Sequence, residues 1–237
     1  MISILKQFMH KQYYSQSGQD EYLNKKIFKN KTKGFFLDIG ANDGVTFSNT
    51  YFFEKNLDWE GICIEPLNYS FEKLALNRKS LNILGCVADF SGEGVFYEIT
   101  GYAEMLSGLK SKYDARHLKR IKNELEEHGG TLKEINVQCC ILNEVLENNS
   151  VKKVDYLSID IEGGELDVLK TIDFSNVDIH AISVENNYND LGIYELMKKK
   201  GFKKVKNLGG DEIYIKKRSG LFRKIRDFMF FNFGFAY

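Results

Sequence analysis

Residues 34–44 read GFFLDIGANDG, and there residue type and spacing first suggest chemistry. An apolar strand ends at Asp38, and Gly40 and Gly44 allow the tight turn and close backbone approach that a ligand at the carboxyl end of a strand requires. Ala41 and Asn42 lie inside the turn. The spacing is neither GxGxxG nor the Walker form GxxxxGKS or GxxxxGKT, which argues against a dinucleotide or a triphosphate. Asp38 points the same way, since a carboxylate repels phosphate and attracts a cation such as the α-amino group of a methionine moiety. The next apolar run, GICIEP, ends in Glu65. An acid at that point is where open α/β folds hold a ribose through its two hydroxyls. Turn and acid together imply an adenosine-type cofactor.

A second group of acids follows. Asp160, Glu162 and Glu165 belong to SIDIEGGELDVLK, where a strand passes into a helix, and Glu185 closes ISVE. In the usual strand order of such folds Asp38, Asp160 and Glu185 line one crevice at the switch point of the sheet. Carboxylates packed together raise one another's pKa, which suits a general base and equally suits a divalent cation. The reading adopted is a base, Asp160 first and Glu185 and His180 behind it, with no metal; magnesium is the alternative. Plainer readings stand beside these. Glu162 and Glu165 are acids in a first helical turn, favoured by the helix dipole. His180 sits in an apolar strand as a core histidine would, and His117 and His128 flank a charged stretch and read as solvated. Trp59 and most tyrosines read as core or edge cover.

The elements that must position these groups follow from periodicity. Continuous apolar runs (FFLDI, GICIE, NILGCVA, VDYLSIDI, DIHAISVE, FKKVK and DEIYIKK) read as strands of a sheet covered on both faces. Helical spacing appears at 49–57, 70–79, 164–172 and 191–200. The alternation predicts an α/β, Rossmann-like, doubly wound and mostly parallel seven-stranded sheet. Only NLGG separates the last two runs, so they form an antiparallel hairpin at one edge. Residues 99–135, polar and helical in the middle, form an insertion in the domain at 33–217, either a substrate loop or a solvated cap. Residues 1–32 read as a helical extension, with Ser17 of SGQD as cap and Asp20 three residues on.

Composition excludes several function classes. The 237 residues are 43% hydrophobic, enough for one large core. Thirty-three basic and thirty-three acidic residues cancel, so nucleic acid is not an expected partner. The four cysteines show no CxxC spacing and read as reduced core residues of a cytoplasmic protein. No apolar run approaches the roughly 20 residues of a spanning helix. The tail at 218–237 is basic and then aromatic, which fits either a peripheral contact with the inner face of a membrane or a fold-back onto its own or a neighbouring subunit.

From SQSGQDEYL to GGDEIYI the sequence resembles the FkbM-type S-adenosylmethionine-dependent methyltransferases, with FFLDIGANDG, WEGICIEP, VDYLSIDIEGGELDVL and ISVEN as its marks. That resemblance implies the class I methyltransferase fold and S-adenosylmethionine as cofactor. It assigns Asp38, Gly40, Ala41, Asn42, Gly44 and Glu65 to the cofactor, with residues 86–89, Asp89 among them, beside the adenine. It further implies O-methylation of a hydroxyl, that of a sugar or glycolipid in a surface glycan, polysaccharide or lipid-linked precursor. The rival readings are a binding or assembly module on the same fold and a nucleotide-dependent oxidoreductase. An oligomer is left open.

Overall fold

The computed structural model describes residues 12–217; the start of the chain and the basic, aromatic tail lie outside the described residues. Helix α1 (Gln19–Tyr22) continues as a π-helix over Leu23–Phe28 and leads into β1 (Phe35–Ile39), α2 (Tyr51–Leu57), β2 (Glu60–Glu65), α3 (Asn68–Asn77) and β3 (Leu81–Leu84). Then come β4 (Cys86–Val87), β5 (Gly92–Thr100), β6 (Gly108–Leu109), α4 (Ala115–His128) and β7 (Thr131–Cys140). The chain continues through α5 (Leu142–Asn148), β8 (Lys153–Ile159), α6 (Glu165–Thr171), β9 (Asp178–Glu185), α7 (Leu191–Lys199), β10 (Phe202–Leu208) and β11 (Asp211–Lys216).

Seven strands form the main sheet in the order β10-β11-β9-β8-β1-β2-β3. Five are parallel neighbours, and β11 runs antiparallel between β9 and β10. The sequence pattern explains why both faces are covered. Leu37, Ile39, Ile64, Leu157 and Ile182 pack on one face with α5, α6 and α7. Phe36, Tyr156 and Ala181 meet Phe52, Phe53, Trp59 and Leu23 on the other. A Leu, Ile or Phe side chain fully removed from water contributes about 1.5–3 kcal/mol. Trp59 is core, as expected: Gly34 lies against its indole, whose Nε1 donates to the Lys31 carbonyl at 2.7 Å.

Two expectations change. NILGCVA is not one strand: the chain divides at Gly85, β3 staying in the main sheet while β4 joins a second sheet of order β4-β7-β5-β6. The expected insertion at 99–135 is helical in its middle, as α4, but its flanks run into that second sheet, with β5 and β7 paired antiparallel over Gly92↔Cys139 to Thr100↔Thr131. Only one face of this sheet is well buried, through Phe96, Val137 and Cys139, so its strands alternate polar and apolar and lack the continuous apolar run of a parallel strand. Helix α4 is tied to the second sheet by Ile121, which packs with Ile99, Ala103 and Leu106.

At the N-terminus Gly18, at φ 81°, takes the cap position in place of Ser17. The Asp20 carboxylate instead turns back to accept from Tyr14 N and Ser15 Oγ at 2.7 and 2.6 Å. Among the described residues no helix is long and apolar enough to cross a membrane.

Candidate active site

The glycine turn is shaped by its neighbours before any ligand. Gly40 and Ala41 N–H groups both donate to the Ile64 carbonyl, and Asp160 N–H donates to the Ile39 carbonyl, so the ends of β1, β2 and β8 are stitched together. Gly40 has φ 83°, and a Cβ there would lie 1.8 Å from the Asp160 carbonyl oxygen. Gly44, at φ 80°, closes the turn onto Ala41 O and lies over Arg78 and Leu74. Asn42 itself has φ 48°, a left-handed conformation that asparagine tolerates better than most residues.

A crevice of about 600 Å³ opens at the carboxyl ends of these strands. Gly40, Asn42 and Glu65 line it, as the sequence suggests for a ligand at this point. The Glu65 carboxylate is buried and held on both oxygens, Oε2 by Asn42 N–H at 2.9 Å and Oε1 by Leu67 N–H at 3.0 Å. Burial pushes its pKa up to about 7, against the pull of those two backbone donors. Each oxygen keeps a second lone pair for a hydroxyl donor. Cys86 and Val87 line the same crevice.

Ala41 and Gly44 complete the turn without lining the crevice, and three further expected residues stand elsewhere. Asp38 does not line the crevice: its buried carboxylate accepts from Thr50 Oγ1 and Ser48 Oγ and lies 3.7 Å from Arg78 Nη1. Burial raises its pKa against the charge of Arg78. Asp89 is exposed and pairs with Lys112 at 2.8 Å, because the chain turns outward after β4. His180 sits five residues before Glu185 on β9, about 16 Å back along the strand, and packs 6.0 Å from the Phe28 ring. It is part of the layer under the N-terminal helix.

Asp160, Glu162 and Glu185 do converge. Each offers a carboxylate oxygen within 4.8 Å of the others, a spacing that suits a proton-sharing cluster or a divalent cation. Desolvation first and the neighbouring acids second push Asp160 and Glu185 well above the ordinary carboxylate range, and desolvation takes Glu162 up to about 7. The turn that presents them is a run of left-handed residues, Glu162 at φ 56°, Gly163 at 125° and Gly164 at 93°. Glu165 folds back to accept from Gly163 N–H at 2.8 Å and so braces this turn.

Sequence reasoning missed four residues here. Arg78, fully buried after α3, supports the glycine turn from beneath: Nε donates to Glu54 Oε2 at 2.9 Å, Nη1 to Gly44 O at 3.0 Å and Nη2 to Thr50 Oγ1 at 3.0 Å. Its partners lie far away in the chain, so no local spacing marks it. Arg78→Leu should destabilise the protein by about 3–5 kcal/mol in urea unfolding, since Asp38 and Glu54 would keep buried charges without a cation. A loss below about 1 kcal/mol would count against that role. Asp211, at the start of β11, lines the crevice and accepts from Gln19 Nε2 at 3.1 Å; its pKa is raised to about 6 by burial. His117, expected to be solvated, is 3% exposed, and Tyr188 follows β9 beside it. His128 is exposed.

A family profile described as a methyltransferase FkbM domain matches residues 38–236, most of the chain and every crevice element from β1 onward. The chain belongs to the FkbM methyltransferase family. No curated protein sequence matches it. Among solved structures it is similar to the methyltransferase FkbM from Methylobacillus flagellatus, with a TM-score of 0.50 at 10% identity over 85% of this chain. The likeness spans 48% of that protein, so this chain corresponds to about half its length. A TehB-like SAM-dependent methyltransferase from Corynebacterium glutamicum superposes more loosely, with a TM-score of 0.43 at 8% identity over 86% of this chain and 89% of that one. The main sheet, with its antiparallel strand between β9 and β10, is that of the class I methyltransferases. The glycine turn and the IDIEGGE turn of this FkbM chain are thus the carboxyl-end loops of that fold.

Proposed function

We propose that this FkbM chain transfers a methyl group from S-adenosylmethionine to a hydroxyl oxygen, that of a sugar in a surface glycan, polysaccharide or lipid-linked precursor. The observation that carries the reading is one crevice with Glu65 after β2 and the acids Asp160, Glu162 and Glu185 after β8 and β9, on either side of the β1 turn. The donor set fits the cofactor: Glu65 keeps free lone pairs for a ribose diol, and Asp211 offers a carboxylate to a cationic amino group. Backbone at Gly40 and Asn42 supplies a close wall. When bound, the cofactor supplies a methyl group on a positively charged sulfur.

The chain's own task is to hold an acceptor oxygen in line and to take its proton. Asp160, at the junction of the acids, is the proton acceptor of choice, with Glu185 sharing the charge. On this reading the enzyme acts in the cytoplasm, and a lipid-linked acceptor would draw residues 218–237 to the inner face of the membrane.

Incubation with S-adenosylmethionine carrying a labelled methyl group and fractionated cell extract tests the proposal. Label should enter a glycan or glycolipid fraction; cofactor binding without transfer to any fraction would favour a binding or assembly role. Glu65→Ala should weaken S-adenosylmethionine binding by on the order of 1–3 kcal/mol in calorimetry. Unchanged affinity would remove Glu65 from the site. Chelation with EDTA should leave turnover unchanged, whereas a loss that magnesium restores would make the three acids a metal centre.

A further inference from the structure

Among the described residues five buried side-chain polar atoms lack a hydrogen-bond partner, and three of them, His117 Nε2, Glu162 Oε2 and Tyr188 OH, belong to residues that line one pocket. This pocket, of about 310 Å³, lies between the first turn of α4, the 162–164 turn and the loop after β9. It shares Glu162, Gly163, Glu185 and Asn187 with the main crevice, so the two spaces meet at the carboxylates. Buried polar groups are nearly always paired, and leaving one unpaired costs about 1–3 kcal/mol. Three such atoms in one hollow mark a place built for a polar guest.

The chemistry of the guest follows from the unpaired atoms. His117 Nε2 has no hydrogen-bond partner, and burial lowers the pKa of the ring and so favours its neutral form. Nε2 faces Glu162 Oε2 at 3.8 Å, beyond hydrogen-bond reach. Hydroxyl groups, which both give and accept hydrogen bonds, can satisfy both, and Tyr188 OH can give or take another. The two cations that line the pocket are already engaged, Lys112 by Asp89 and Asp167 and Arg116 by Asp114, so an anionic guest is not favoured. The imidazole is held by a stacked contact with Tyr113, at 4.5 Å and 11°, and the Tyr188 ring by the Arg116 guanidinium 4.1 Å above it. Both groups are therefore preset in position, as a specific site requires.

We propose that this second pocket seats the acceptor, a neutral polyhydroxylated ring whose hydroxyls bond His117 Nε2, Glu162 Oε2 and Tyr188 OH while a further hydroxyl reaches the Asp160–Glu185 junction. The inference rests on the adjoining crevice being the cofactor site, and adds where the acceptor sits and the residues that select it. His117 and Tyr188 act here as binding residues.

The test uses the full chain loaded with S-adenosylhomocysteine and, as probes, the methyl glycosides of glucose, galactose, mannose, rhamnose and fucose, read by saturation-transfer NMR. At least one glycoside should receive saturation. Tyr188→Phe and His117→Phe, which keep the rings, should each weaken that glycoside about tenfold, with S-adenosylhomocysteine affinity unchanged as the check on folding. Glycoside binding that survives both substitutions overturns the proposal, as does a protein that binds S-adenosylhomocysteine and none of the glycosides. Failure to bind S-adenosylhomocysteine would instead sink the crevice reading, and this inference with it.

Discussion

Asp160→Asn is expected to lower turnover on the order of a hundredfold to ten-thousandfold, with S-adenosylmethionine affinity close to that of the unsubstituted protein. Asparagine keeps the shape of the side chain and removes its capacity to take a proton. The sign of the pH dependence follows from the surroundings. Desolvation and the charges of Glu162, Asp211, Glu165 and Asp38 hold the Asp160 pKa well above its ordinary value. The group is protonated, and idle as a base, below that raised pKa, so turnover should climb as pH rises through it. The substitution should abolish that rising limb. Because Asp160, Glu162 and Glu185 titrate as a cluster, the limb belongs to the cluster, and Glu185→Gln is the necessary comparison. A larger loss in Glu185→Gln would move the base to Glu185. A loss of cofactor affinity in Asp160→Asn, with turnover at saturation intact, would show that the carboxylate holds positive charge and takes no proton.

The second large effect is on stability. Gly40→Ala should destabilise the protein by at least about 3 kcal/mol, a drop of roughly 6–12 °C in Tm for a domain of this size. Two independent costs add. The backbone at φ 83° disfavours any side chain, and the new methyl would sit 1.8 Å from the Asp160 carbonyl oxygen, a backbone atom at the end of β8 that cannot rotate away. Gly44→Ala is the informative partner. Its φ of 80° carries the same conformational cost, but its nearest neighbours are side-chain carbons of Arg78 and Leu74 at 2.6 and 2.7 Å, a milder clash than one with a backbone oxygen at 1.8 Å. The loss should therefore be smaller at Gly44. Wild-type stability in Gly40→Ala would contradict the close approach of β1 and β8 on which the crevice depends.

Both predictions concern residues that local sequence already singled out, and this marks the boundary of what sequence alone determined here. The parallel strands, the antiparallel closing hairpin, the glycine turn after β1, the Glu65 terminus of β2 and the acids of IDIEGGE were legible. Each follows from a continuous apolar run ending in turn residues, a signal written within about ten neighbouring positions. The second sheet was not legible, because strands buried on one face carry only an alternating pattern that resembles a polar loop. Tertiary structure alone decided which acids face the crevice. Asp38 turns away because Arg78, forty residues on and without a local acidic partner, is buried beside it, while Asp211 enters because β11 inserts beside β9. His117 became a buried, unpaired group only when α4 folded over the IDIEGGE turn, and His180, in an equally suggestive sequence, fell under the N-terminal helix. Side-chain direction at a strand end, and the charge that meets it there, depend on packing between distant segments, and no spacing rule within one segment contains that information.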